Sequence, residues 1–190
     1  EYPDPFVQVG KLHQIENFVI VGNRFKEIHD IENEKIKKIL EYARMYPRMV
    51  IFAKYIAQID AIAAALKESG VTVLILTGKT KNRKELLTVA KSLPAYVFLC
   101  QVSMGAGWEL PEVPVAIFAS LDYSVVSYIQ AQGRILRANK LKENLFITLV
   151  VKGGVDEAVK NCIDDKKDFL THIYAKTRAS ISNNFRYLGA

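Results

Sequence analysis

A chain of 190 residues, half of them hydrophobic and 24% charged, can bury a real core and is too varied for a low-complexity polymer. Its net charge of +6 mildly favours a polyanionic partner, while 2 cysteines and 3 scattered histidines make neither a disulfide framework nor a metal-ligand cluster. No apolar run approaches the roughly 20 residues that cross a bilayer as a helix, so a membrane is not an expected partner.

The opening Glu1-Tyr2-Pro3-Asp4-Pro5 is acidic and proline-rich, unlike a secretory signal, and reads as the linker of a piece of a longer protein. Ile15 to Val21 reads as an additional strand at an edge, and Gly22 to Asn33 as a polar connection. Apolar stripes then predict three helices: Ile36, Ile39, Leu40 and Ala43; Ile56, Ile59, Ala63 and Leu66, ended by Gly70; and Leu86, Leu87, Ala90 and Leu93, stopped at Pro94. Five runs rich in β-branched and aromatic residues lack strict alternation: Met49 to Ala53, Val71 to Leu76, Ala95 to Cys100, Pro114 to Ala119 and Leu145 to Val151. Strands buried on both faces of a parallel sheet read this way. Gly153-Gly154 breaks the chain, and Val155, Val159, Cys162 and Phe169 predict a long final helix continuing past Leu170, with a polar end from Ser180 that should fray. Cys100 and Cys162 fall within apolar patterns and read as buried free thiols of a reducing compartment. The fold class is therefore α/β, a three-layer sandwich around a mostly parallel sheet. Residues 1–33 form a linker and edge strand, 34–152 the core, and 153–190 a helical extension of the same domain.

Leu76-Thr77-Gly78-Lys79-Thr80 ends like a phosphate-binding loop, but position 73, where that loop needs a glycine, is Val73. It reads instead as a polar turn leaving a strand, with Thr77, Lys79 and Arg83 as candidates for a nucleic-acid backbone. Val50-Ile51-Phe52-Ala53-Lys54-Tyr55 is a buried strand with a polar exit, where Lys54 is the candidate phosphate contact; an ordinary strand-to-helix junction reads the same. Ser103-Met104-Gly105-Ala106-Gly107-Trp108-Glu109-Leu110-Pro111 follows the third core strand, at the carboxyl edge where open α/β sheets hold ligands. Trp108 there reads as packing before base stacking.

The most specific stretch is Gln130-Ala131-Gln132-Gly133-Arg134-Ile135-Leu136-Arg137. Its arginines, three apart, share one face of a helical turn, after a glycine that admits another surface closely. Paired guanidinium groups suit the charge on a transferring phosphoryl group, although a lone R-x-x-R is more often a solvated helix face. The pattern Q-x-x-G-R-x-x-R resembles motif VI of superfamily 2 helicases and translocases. Val50 to Tyr55 resembles motif IV, and Gly107-x-Glu109 resembles motif V, with glutamate where that motif usually has aspartate or asparagine. Gly154-Val155-Asp156-Glu157-Ala158-Val159 with Lys166-Lys167-Asp168-Phe169 looks like the helix after motif VI in Swi2/Snf2-type and phage proteins.

The resemblance implies a RecA-like C-terminal lobe without its own Walker A loop. It implies ATP and Mg2+ held mainly by an N-terminal lobe of the same polypeptide, and nucleic acid, DNA before RNA, as the other partner. Arg137 would be the arginine finger, with Arg134 beside it on the γ-phosphate. Gln130, Gly133, Gly107 and Glu109 would line the nucleotide side, and Ser103 and Gly105 would meet nucleic-acid phosphate. The expected setting is the cytoplasm of a bacterial or phage-infected cell, and the isolated lobe should not hydrolyse ATP. A non-catalytic module binding nucleic acid or protein through its basic surface is the rival reading.

Overall fold

The computed structural model describes residues 4–17, 33–136 and 143–172. Five parallel strands form the sheet, in the order β2-β3-β1-β4-β5. They are β1 (Arg48–Ala53), β2 (Val73–Leu76), β3 (Tyr96–Gln101), β4 (Val115–Phe118) and β5 (Leu145–Thr148). In register, Ile51 of β1 lies opposite Leu99 of β3 and Ile117 of β4. Alternate residues of each strand face opposite helix layers, which explains why no strand shows polar alternation.

On one face Met49, Ile51, Ala53, Leu99 and Ile117 pack against α2 (Glu34–Met45) and α3 (Ile56–Glu68). On the other face Phe52, Phe98, Cys100 and Phe118 meet α4 (Arg83–Ser92), α5 (Val125–Gln132) and α6 (Val155–Asp164). Local signals set the helix ends. Asn33 and Asn82 cap α2 and α4 by accepting the amides of Ile36 and Glu85. Gly70, at φ 77°, closes α3 while the Val71 amide donates back to the Leu66 carbonyl at 3.0 Å.

Two expectations fail. Ile15 and Glu16 belong not to a strand but to α1 (Pro5–Glu16), and residues 18–21 lie outside the described residues. Asp4 starts that helix by accepting the Phe6 amide at 2.8 Å, with Pro5 in the first turn, where a missing N–H is harmless. The final helix is likewise not continuous: α6 stops at Asp164 and a helical turn resumes only at 169–172. Lys166 takes the left-handed conformation at φ 57°, and the amides of Lys166 and Lys167 bond back to the carbonyls of Ile163 and Cys162. That is a helix-ending motif with lysine where glycine is usual, which hides it in the sequence. Cys100 and Cys162 are both buried.

Candidate functional site

The loop after β3 and the end of α5 are joined into one unit. After a single 3-10 turn, Gly105 packs on α5: a Cβ there would lie 3.6 Å from the Ala131 Cα, and 3.1 Å from the Val102 carbonyl oxygen of its own turn. Gly107 turns the chain at φ 80°, which a side chain would disfavour. Trp108 is buried between Phe98 and Phe52, with ring centroids 5.0 and 6.1 Å away, and its Nε1 donates to the Met104 carbonyl at 2.9 Å. Its role is packing, because the indole is spent inside the core.

Arg134 locks onto this loop twice. Its carbonyl accepts the Leu110 amide at 3.0 Å, and its Nη1 donates to the Trp108 carbonyl at 3.1 Å. Its Nε donates to the Gln130 carbonyl, also at 3.1 Å, so the plane of the guanidinium is fixed. Together they border an open recess of about 310 Å³ lined by Leu87, Lys91, Gly107, Trp108, Glu109 and Arg134. The structure thus gathers Gly107, Glu109 and Arg134, with exposed Gln130 one turn earlier. Leu87 and Lys91 join them unforeseen, since nothing in α4 marks which of its turns faces that loop. Gly133 is exposed, and a Cβ there would first meet the Gln130 carbonyl at 3.4 Å. Among the described residues, then, no other element presses on Gly133. Arg137 lies outside the described residues.

The remaining candidates leave the carboxyl ends of β1, β2 and β3. Thr77 to Thr80 closes on itself: the Thr80 amide donates to the Thr77 carbonyl, and the Thr77 amide donates to Thr80 Oγ1, each at 3.0 Å. With the Thr77, Lys79 and Thr80 amides bonded within the turn, this stretch presents no row of free amides to a phosphate. Thr77 is buried, whereas Lys79 and Arg83 are exposed, as is Ser103 on the neighbouring strand exit. Lys54 is largely enclosed: its Nζ lies 3.3 Å from Asp122 and 3.0 Å from the centre of the Tyr123 ring. Burial lowers its pKa, against the opposing pull of Asp122.

A buried polar cluster escaped the sequence entirely. It fills the crevice at the carboxyl ends of β1 and β4, where connections diverge to opposite faces of the sheet. Asp156 is its centre. His13 Nε2 donates to Oδ1 at 2.9 Å and Asn17 Nδ2 at 3.1 Å, while Lys35 Nζ donates to Oδ2. Lys35 also reaches the Ala119 carbonyl and Asn17 Oδ1, and Gln58 links Asn17 to Ser120. The phenols of Tyr55 and Tyr123 sit 3.0 and 3.1 Å from His13 Nδ1. Burial alone would raise the Asp156 pKa, but the His13 hydrogen bond and the Lys35 charge outweigh it and bring the carboxyl to about 2. Lys35 is pulled down by its burial, with Asp156 opposing. Among the described residues no buried side-chain polar atom lacks a partner, so the cluster is satisfied throughout.

Comparison with known proteins places this geometry. Residues 32–139, more than half of the chain, match the helicase conserved C-terminal domain. α1 and α6 lie outside that stretch. The chain is 25% identical over 136 residues to the pre-mRNA-splicing ATP-dependent RNA helicase prp28 of Sclerotinia sclerotiorum, covering 70% of this chain and 17% of that protein. It is 27% identical over 116 residues to a human SWI/SNF-related regulator of chromatin, subfamily A, containing DEAD/H box 1, covering 59% of this chain and 11% of that one. Similarity divided between an RNA helicase and a chromatin regulator does not bear out a preference for DNA over RNA. Among solved structures, the C-terminal part of the Fun30 ATPase domain superimposes with a TM-score of 0.64 at 18% identity, over 84% of this chain and 54% of that one. The C-terminal domain of the DEAD-box protein Dbp5 gives 0.61 at 18%, over 70% and 78%. The chain belongs to the helicase conserved C-terminal domain family, as a RecA-like C-terminal lobe of the superfamily 2 type.

Proposed function

We propose that this lobe forms one wall of a nucleotide cleft in a two-lobe motor acting on nucleic acid, with Val50–Tyr55, Ser103–Pro111 and Gln130–Arg137 serving as motifs IV, V and VI. The observation that carries the reading is the double tie between Arg134 and the Trp108–Leu110 loop. It makes a single preorganised surface of the two segments that resemble motifs V and VI.

The donor set suits a polyphosphate. Arg134 and Lys91 bring two cations to the open recess, and Glu109 stands beside them as a polar partner for a ribose or for the facing lobe. ATP with Mg2+, held mainly by the other lobe, supplies the phosphoryl group that passes to water. On this side Arg137 neutralises the charge that grows on that group, Arg134 stands beside it, and Gln130 and Glu109 sense occupancy. Exposed Lys79, Arg83 and Ser103, with Thr77 and Gly105 shaping their loops and Lys54 nearby, form the edge offered to a nucleic-acid backbone. The closed Thr77–Thr80 turn supports the further reading that the lobe alone does not turn ATP over.

The test uses the full-length protein carrying this lobe. Arg137→Ala should lower nucleic-acid-stimulated ATP turnover by roughly 10³-fold with ATP binding retained. Unchanged turnover would remove the finger role and leave a nucleic-acid- or protein-binding module as the better account.

A further inference from the structure

The segment that carries Gln130 and Arg134 is gripped at its far end by elements outside the family match. α5 has 8 residues, two turns, too few to hold a helix by its own hydrogen bonds. Its amino end is capped twice. Ser124 Oγ accepts the Ser127 amide at 3.4 Å, a long bond, and Asp168 Oδ1 accepts the Val125 amide at 3.0 Å from beyond α6. One residue further on, the Phe169 amide donates to the Tyr123 carbonyl at 3.1 Å, and the buried Phe169 ring packs 5.2 Å from that of Tyr123. From the other side Tyr123 is held by α1, its phenol 3.1 Å from His13 Nδ1. α1 and α6 are themselves fastened together, by His13 on Asp156 and by Glu16 on the amides of Val155 and Asp156.

The geometry points to α1 and the α6–Phe169 segment as a bracket that positions the arginine segment, with His13, Tyr123 and Asp168 as positioning residues. Tyr123 is the junction: His13 meets its phenol, while Phe169 holds its carbonyl and packs against its ring. The other end of α5 is tied by Arg134 to the Trp108–Leu110 loop. A two-turn helix anchored at both ends transmits the loss of either anchor along its length. Loosening the bracket should therefore loosen Arg134 and the loop bound to it. The bracket's importance for turnover rests on the function proposed above; its mechanical action on α5 does not.

Amide hydrogen exchange on the 190-residue chain tests it. Asp168 is exposed, so Asp168→Ala should fold. Loss of a cap should speed exchange about fivefold across α5 and, past its end, at the Leu110 amide that Arg134 holds, with β1 unaffected. Asp168→Asn keeps an acceptor oxygen and should restore protection. Tyr123→Phe, which cuts the link to His13 but keeps the ring, should give the same pattern as Asp168→Ala. Faster exchange confined to the first turn of α5, no change in α5, or an equal rise in β1 would each overturn the bracket. Should exchange respond as expected while Arg137→Ala leaves turnover intact in the full-length protein, the bracket stands and the motor reading falls.

Discussion

The carboxylate of Glu16, at the end of α1, accepts the amides of Val155 and Asp156 at 2.6 and 2.8 Å. The N-cap of α6 is Gly154, which has no side chain with which to cap it. The missing cap is supplied by a residue 139 positions before Val155, in a part of the chain that reads as an edge strand. The same contact explains the glycine: a Cβ at position 154 would lie 2.4 Å from Glu16 Oε1.

Glu16→Ala should lower stability by about 1–2 kcal/mol, the scale of a lost helix cap. Gly154→Ala should be destabilising too, because its methyl would displace the carboxylate. The double variant should cost clearly less than the sum, since both substitutions remove one interaction. Urea unfolding of the four proteins checks this, and full additivity would contradict it.

Asp156 makes stability depend on acid. Its folded pKa of about 2 lies below the ordinary carboxylate range, so the unfolded state binds protons more readily. The carboxylate's contribution is therefore complete above about pH 4 and is lost as pH falls towards 2, amounting to about 2 kcal/mol. Asp156→Asn should flatten that slope. At neutral pH it should cost about 3 kcal/mol, by leaving Lys35 buried without its counter-charge. Unfolding midpoints measured from pH 6 to pH 2.5 decide it.

Lys79 and Arg83 differ from Lys54 in exposure, and that should separate their phenotypes. Lys79→Ala and Arg83→Ala should weaken nucleic-acid binding, each reducing the salt slope by about 1 with little change in stability. Lys54→Ala should chiefly destabilise, by removing the partner of Asp122 and Tyr123. Salt titrations of binding beside melting curves distinguish the two classes.

Cys100 is fully buried, and that burial raises its thiol well above the usual range. Cys162 is 6% exposed. A thiol reagent should label neither cysteine in native buffer and both in denaturant. Rapid native labelling would contradict the packing of β3 against α4 and α5.

The sheet was legible because its strands are buried on both faces. Met49 to Ala53 and Pro114 to Ala119 are apolar without alternation, which a parallel strand between two helix layers requires. The stop at Gly70 is equally local, and it ends α3 where the residue says it should. α1 was not legible, because it inverts the usual pattern: His13 and Asn17 are buried while Val7, Leu12 and Ile15 are exposed. Polar residues are tolerated inside only where partners wait for them, and Asp156, Lys35 and Gln58 come from three other helices. No periodicity within α1 can announce that. The break at Lys166 was hidden for a related reason, as its backbone conformation normally selects glycine.

The site divides in the same way. Arginine's fork and glycine's freedom are properties of single residues, and the resemblance to motifs V and VI drew attention to Gly107, Glu109, Gln130 and Arg134 before their positions were known. Only the tertiary structure could seat Arg134 on the Trp108 carbonyl, bring Lys91 to the same recess, and turn the Lys54 ammonium inward to Asp122. Those outcomes depend on distances between segments far apart in the chain, and such distances exist only once the core has closed.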